Sequence, residues 1–79
     1  MTSTSNPLRA VLADVAPTIA GASRALDMGF ENVRRMLLGL PKHLSPSLKM
    51  ALMTHQGWSI EQCNDLDIAY QQWRANKDV

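Results

Sequence analysis

The segment from Gly57 to Gln62 constrains the fold of this chain more than any other part of the sequence. Glycine readily adopts the left-handed conformation that closes a helix, and Gly57 follows a run of residues with helical spacing. Ser59 can cap a new helix, and Gln62 stands three positions later, where a capping box carries Glu or Gln. Trp58 and Cys63 occupy the two positions of a hydrophobic staple. The sequence therefore predicts that one helix ends and the next begins within this segment.

Two other helix starts pair a capping residue with a proline in the first turn, namely Asn6-Pro7 and Ser45-Pro46. Pro17 removes a backbone donor and disfavours helix at the preceding residue, so the first helix either ends or kinks there. The predicted helices cover approximately residues 7–15, 18–38, 46–56 and 60–75. Residues 1–6 are predicted to be a disordered N-terminal segment, and residues 7–76 a single helical domain.

Apolar residues mark the inner side of the two longest helical segments. In the earlier segment they recur every seven positions, at Ile19, Leu26, Val33 and Leu40. Gly29 is a point at which this segment either continues or divides into two helices. The last helix carries its own stripe, at Ile60, Cys63, Leu66, Tyr70 and Trp73. Because no alternating β-branched run and no hairpin turn occurs, the sequence predicts an all-α bundle of three to five helices.

A chain of 79 residues buries only about 60% of its unfolded surface, which leaves a thin core. Its one cysteine, Cys63, allows no internal disulfide, so good helix packing or association with another chain is the expected supplement. The stripe from Ile19 to Leu40 offers one surface on which a second copy would pack to form a homodimer.

The sequence predicts no site for a cofactor or a metal ion. His43, His55 and Cys63 lack the spacing of zinc ligands, and the four glycines are isolated rather than grouped in a phosphate loop. His55 and Cys63 flank the predicted turn, but Cys63 lies on an apolar stripe, where a buried, inert thiol is the usual case. We therefore expect a protein without enzymatic activity and without a cofactor.

The first residues do not have the pattern of an export signal. Residues 1–7 are polar, and they lack the basic start and the apolar run of such a signal. No apolar run approaches the roughly 18 residues that cross a bilayer. A single thiol fits a reducing compartment. We therefore expect a cytoplasmic protein that does not enter the membrane.

A helix–turn–helix that binds DNA is the alternative function suggested by the junction. Residues 49–73 have its outline, with Gly57 at the turn, and the second helix would then enter the major groove. The residues expected on the exposed side of that helix are acidic or neutral: Glu61, Asn64, Asp65, Asp67 and Gln71. Phosphates repel such a surface, because affinity for DNA depends on neutralising their charge. DNA binding is therefore the second choice.

The remaining features favour binding to another protein. Methionine suits an adaptable apolar surface, and large aromatic residues anchor interfaces. The candidate anchors are Met50, Met53, Trp58, Tyr70 and Trp73. Basic residues concentrate before the junction and acidic residues after it, and either set would steer the orientation of a partner. The basic candidates are Arg34, Arg35, Lys42 and Lys49.

Residues 53–76 resemble helical segments of small bacteriophage-encoded proteins, among them tail-assembly accessory proteins. The shared pattern is a helix followed by Trp58-Ser59-x-Glu61, then Leu66-Asp67 and a closing Tyr70-x-x-Trp73-Arg74. The resemblance implies a small, non-enzymatic protein that docks on a protein of the host or of the phage. Such a protein either blocks its partner or helps an assembly to form.

Overall fold

Five α-helices follow one another in residues 5–77, the part of the chain that the computed structural model describes. They are α1 Pro7–Val15, α2 Ile19–Ala25, α3 Phe30–Leu37, α4 Pro46–Gln56 and α5 Ile60–Lys77. The described residues contain no strand, and the prediction of an all-α bundle is confirmed. Of the segment predicted to be disordered, residues 1–4 lie outside the described part of the chain.

Pro17 breaks the first helical segment rather than kinking it. Ala16 is extended, with φ −160° and ψ 158°, as expected for a residue that precedes proline. Thr18 then caps α2, because its hydroxyl oxygen accepts a hydrogen bond of 3.0 Å from the Gly21 amide. A Cβ atom on Gly21 would stand 3.1 Å from that hydroxyl oxygen and 3.2 Å from the Cβ of Ala16. The absence of a side chain at Gly21 therefore lets the cap close tightly over the new helix.

The predicted helix over residues 18–38 is divided into α2 and α3 by a turn over residues 26–29, which includes Gly29, the point at which the sequence allowed a division. Asp27 takes the left-handed conformation, with φ 54°, and the Met28 amide donates to the Ser23 carbonyl at 2.8 Å. These features form the motif that commonly closes a helix. Gly29 is the capping residue of α3. The apolar stripe with seven-residue spacing did not reveal the break, because the apolar residues of both short helices lie on the side that faces the core.

The core forms around α1, which packs against α2, α3 and α5, while α4 packs chiefly against α5. Leu26 and Val33 lie inside this core, whereas Leu40 is exposed and Ile19 is only partly buried. The stripe predicted as a homodimer surface is therefore largely used within the chain itself. The fully buried large side chains include Leu8, Leu48, Leu52 and Tyr70.

Asn6 is a buried capping residue that joins two helices distant in sequence. Its side-chain oxygen accepts a hydrogen bond from the Leu8 amide at 3.0 Å, which caps α1. Its side-chain nitrogen donates to the carbonyls of Met36 and Leu37, at 2.9 and 3.2 Å. These carbonyls belong to the last turn of α3. The last carbonyls of a helix lack amide partners within the helix, so other groups must donate to them. One amide side chain thus ties the start of α1 to the end of α3.

The junction between α4 and α5 has the predicted geometry. Gly57 has φ 70°, and the amides of Gly57 and Trp58 both donate to the Leu52 carbonyl. The Ser59 amide donates to the side-chain oxygen of Gln62 at 2.8 Å, and the Gln62 amide donates to the Ser59 hydroxyl at 3.1 Å. This reciprocal pair is a capping box. Helix α5 then continues to Lys77, two residues beyond its predicted end, and residues 78–79 lie outside the described part.

Replacing Asn6 by alanine is expected to lower the free energy of unfolding by about 2–3 kcal/mol. The change removes a helix cap, worth about 1 kcal/mol, and two further hydrogen bonds of about 1 kcal/mol each. Ser45→Ala is the matched control, because Ser45 also caps a helix before a proline but makes only the local bond to the Leu48 amide. That variant should lose only about 1 kcal/mol in urea denaturation. Equal losses in the two variants would show that the bonds from Asn6 to α3 add nothing.

Candidate functional site

The inner side of α5 holds the loop that connects α3 to α4, residues 38–45. The Tyr70 hydroxyl donates to the Pro41 carbonyl at 2.5 Å. One turn later, the Arg74 guanidinium donates from Nε to the Gly39 carbonyl at 2.8 Å and from Nη2 to the Leu40 carbonyl at 3.4 Å. Because the two residues are four positions apart, they lie on the same side of the helix. The loop therefore has a defined path over α5.

Asp67, one turn before Tyr70, completes this attachment. Its Oδ1 atom accepts a hydrogen bond from the Leu44 amide at 3.0 Å, and its Oδ2 atom lies 2.8 Å from the Lys49 ammonium. The Asp67 side chain is only 10% exposed, and that of Lys49 is 28% exposed. The exposed His43 ring lies at the edge, with Nδ1 4.0 Å from Oδ2. Asp67 therefore joins α5, the loop and α4.

The pKa of Asp67 is lowered although burial acts in the opposite direction. Burial disfavours the charged carboxylate and would raise the pKa. The hydrogen bond and charge of Lys49, the Leu44 amide and the Gln71 side chain stabilise the carboxylate and together outweigh burial. Asp67 was expected on the exposed side of α5, and that expectation is wrong. The remaining residues expected there are exposed, except Gln71, which is partly buried.

The aromatic candidates lie mostly against the core. Tyr70 is fully buried, and its pKa is raised by that burial. Trp73 is partly buried, with its ring centre 6.0 Å from that of Tyr70 and the two planes tilted by 39°. Trp58 is also partly buried and packs against the core that contains Cys63. Tyr70 cannot contact a partner without unfolding, and the two tryptophans offer only part of their surface.

The methionine and basic candidates do not gather on one surface. Met50 is 62% exposed on α4, whereas Met53 is partly buried against the core. Arg34 and Arg35 are exposed on α3, and the Arg34 Nε atom lies 3.0 Å from Oε1 of Glu31. Lys42 is exposed in the loop, and Lys49 is held by Asp67. The nine predicted residues therefore fall on α3, the loop, α4, the junction and α5.

The outer face of α5 carries two exposed isoleucines that the sequence did not identify as candidates. Ile60 is 64% exposed and Ile68 is 54% exposed. They stand eight residues apart, so with Asn64 between them they form a row along one side of the helix. Glu61 and Asp65 flank this row and are exposed. Ile60 was expected on the inner stripe, but it is the first residue of α5 and projects beyond the core.

A signal for Ile68 was present in the spacing. The inner stripe of α5 passes through Leu66 and Tyr70, and a residue midway between them lies on the opposite side of a helix. A β-branched apolar residue at that position has no partner within its own helix. We call Ile60, Ile68, Glu61 and Asp65, with Asn64 between them, the α5 outer face.

The structure offers no support for a nucleophilic pair at the junction. Cys63 is 1% exposed, and burial raises the pKa of its thiol. The thiol donates instead to the Lys49 carbonyl, at 3.5 Å, while His55 is exposed on α4. Within residues 5–77, no group of His, Cys, Asp or Glu side chains is arranged to hold a metal ion.

Comparison of the chain with models of known protein families, with curated protein sequences and with solved structures finds no match. Among the described residues, no helix has both the length and the apolar character needed to span a bilayer. The function must therefore be argued from the surfaces of the chain itself.

Replacing Asp67 by asparagine is expected to lower the free energy of unfolding at neutral pH by about 1–2 kcal/mol, because a charge-assisted hydrogen bond is lost. The folded pKa of Asp67 is depressed, so its contribution is complete above the unfolded pKa of about 3.9 and is lost as the pH falls through the folded value. The difference between the two proteins should therefore shrink below about pH 4. Urea denaturation across an acid pH series measures it.

Asp65→Asn is the matched control, since Asp65 is exposed on the same helix two residues earlier. The free energy of unfolding of this variant should equal that of the unmodified protein across the pH series. If the Asp67→Asn variant and the unmodified protein instead differed in free energy of unfolding by the same amount at every pH, that result would show that the Asp67 charge does not stabilise the fold.

Proposed function

We propose that this chain is a non-enzymatic protein-binding module that docks on another protein through the α5 outer face. The observation that carries the proposal is the pairing of two exposed isoleucines, 64% and 54% exposed, on one side of a helix. Contiguous exposed apolar patches on soluble domains often mark sites of interaction with other proteins. An amphipathic row on a rigid helix is a common element of protein recognition.

The charge of the same face favours a protein over a nucleic acid. From Ile60 to Trp73 the sequence contains no lysine, arginine or histidine, while Glu61 and Asp65 are exposed beside the isoleucines. A helix inserted into the major groove would bring these carboxylates towards phosphates, without any cation to release counterions. An apolar row with an acidic rim instead suits a partner that offers an apolar groove with basic residues at its edge.

The polar attachment on the inner side supports this role. Asp67, Tyr70 and Arg74 hold α5 to the loop, so the outer face is presented on a rigid support. A preorganised helix loses little conformational freedom when it binds. Trp58, directly before the capping box, and Trp73, near the end of α5, offer their exposed parts as additional contacts.

The resemblance of residues 53–76 to small phage proteins extends the proposal to a class. The chain would be a phage-type accessory protein that acts in the cytoplasm, on a protein of the host or of the phage. It would work by occlusion or by scaffolding, because both require only a docking surface and no chemistry. An inhibitor and an assembly factor are distinguished by whether the partner loses its activity or gains a place in a larger assembly.

Substituting both isoleucines, Ile60→Asp with Ile68→Asp, is expected to weaken binding of the partner by about a hundredfold. Each charge placed in an apolar contact removes a contribution of about 1–2 kcal/mol. The partner is first captured from the native cell by the unmodified chain, then purified and titrated against each variant. Circular dichroism checks that the variant keeps its helices, which is expected because both side chains are exposed.

Ala20→Asp is the control, because it also adds an aspartate, at an exposed position on α2. It should leave partner affinity unchanged. Loss of binding in the control alone, or equal affinity in all three proteins, would exclude the α5 outer face as the docking surface. Binding to duplex DNA that weakens steeply as salt increases would support the helix–turn–helix alternative instead.

A further inference from the structure

A second apolar surface lies beside α4. It is an open groove between α4 and the turn that joins α2 to α3. Its apolar lining is formed by Leu26, Met28, Met50 and Ala51, and the side chains of Asp27 and His55 also line it. Because α4 packs chiefly against α5, the side of α4 that bears Met50 is left uncovered. We call this surface the α4 groove.

A row of exposed residues runs along α3 to its C-cap residue and begins beside the α4 groove. Phe30 is 47% exposed and Leu38 is 48% exposed, and the two are eight residues apart with Arg34 midway between them. Residues spaced by four share one side of a helix. We call Phe30, Arg34 and Leu38 the α3 row. Phe30 follows Met28 by two residues, so the α3 row begins where the lining of the groove ends.

We propose that the chain forms a twofold symmetric homodimer, in which the α4 groove of each copy receives the α3 row of the other. A twofold interface requires that two complementary surfaces lie side by side on one chain, so that both contacts form at once. The groove and the row meet this condition because they adjoin at residues 28–30. The aromatic ring of Phe30 is the largest apolar group in the row and would fill the groove.

The charges of the two surfaces are complementary. Among the side chains described, those of residues 5–76, none forms an ion pair or hydrogen bond with the carboxylate of Asp27. Helix α3 carries two exposed arginines, and because Arg34 is paired with Glu31 at 3.0 Å, Arg35 supplies the excess positive charge. Pairing of the row with the groove of a second copy would bring this positive charge towards Asp27. Complementary rim charges set the register of an interface more than its strength.

The conformation of Asp27 is consistent with a use for its carboxylate. Three residues in the described chain have positive φ, and the other two are Gly39 and Gly57. Glycine adopts this conformation without a steric penalty, whereas aspartate does so at a cost. Aspartate at this position keeps a negative charge on the rim of the groove, which glycine would not supply.

A homodimer also fits the size of the chain. A domain of 79 residues has a thin core, and association with a second copy is one of the usual ways to supplement it. The apolar groove and the α3 row together would cover Met50, Phe30 and Leu38, three of the six large apolar side chains left exposed in the described residues.

The test is sedimentation of the purified full chain over a wide range of protein concentration. We expect a reversible monomer–dimer equilibrium that stops at two copies. Met50→Lys places a charge in the groove and should weaken dimerisation by about tenfold or more, and Phe30→Ala should do the same. Both side chains are exposed, so the helices should persist, and circular dichroism checks this. Ile68→Asp is the control, because Ile68 is exposed on α5, and it should dimerise like the unmodified chain.

Asp27→Asn tests the charge pairing without disturbing the turn, because asparagine also tolerates positive φ. It should weaken the dimer by about two- to fivefold and reduce the effect of salt on dimerisation. Arg35→Gln should act in the same way. Dimerisation that is unaffected by either substitution would exclude the proposed register.

A chain that stays monomeric throughout, that forms open polymers, or that dimerises equally well with Met50→Lys would overturn the proposal. The dimerisation test does not depend on whether the α5 outer face binds a partner protein. Met50→Lys should still bind the partner protein if docking uses α5, whereas Ile60→Asp with Ile68→Asp should still dimerise. Each proposal can therefore fail without the other.

Discussion

The carboxylate of Asp67 joins three parts of the molecule, α5, the loop of residues 38–45 and α4, at one buried point. It accepts the Leu44 amide and lies 2.8 Å from the Lys49 ammonium, so it connects α5 to the loop and to α4. Lys49 faces α5 as a result, and its neighbour Met50, about 100° further around the helix, faces away from it. This buried charge therefore contributes both to the position of α4 beside the groove and to the support of the α5 outer face. Breaking such a pair on one side leaves the other charge partly buried without a partner, which is why the interaction holds the arrangement.

Buried polar groups act here as long-range ties in a chain that has no disulfide. Asn6 connects α1 to the last turn of α3, and Tyr70 and Arg74 connect α5 to the loop. No buried side-chain nitrogen or oxygen among the described residues lacks a hydrogen-bond partner. A thin core gains specificity from such contacts, because each is satisfied in only one arrangement of the helices. Two surfaces, one on α5 and one beside α4, leave apolar side chains without comparable partners within the described chain.

The helix ends were predictable wherever a local rule determines them. The capping box at Ser59 and Gln62, the left-handed Gly57 and the caps at Asn6 and Ser45 involve residues within a few positions of one another. The end of α2 near Asp27 was harder to predict from the sequence, since glycine is the residue usually expected in the left-handed position after a helix. The candidate surface was predicted only in part. Met50 is exposed as an anchor should be, but Tyr70 is buried and Ile68 was not considered, because a stripe of period 3.6 does not tell which edge of a helix a neighbour covers.

The sequence by itself determined the fold class, the helix starts and the junction at Gly57, because backbone capping and apolar spacing act over one or two turns of chain. It also determined that no lysine, arginine or histidine lies between Ile60 and Trp73. Only the tertiary structure decided that Asp67 is buried while Asp65 is exposed, and that Leu26 and Val33 are used inside the chain. Burial depends on contacts between residues far apart in sequence, such as Asp67 with Leu44 and Asn6 with Met36. Those contacts exist only once the helices have packed, and they set which apolar residues remain exposed for another protein or for a second copy of this chain.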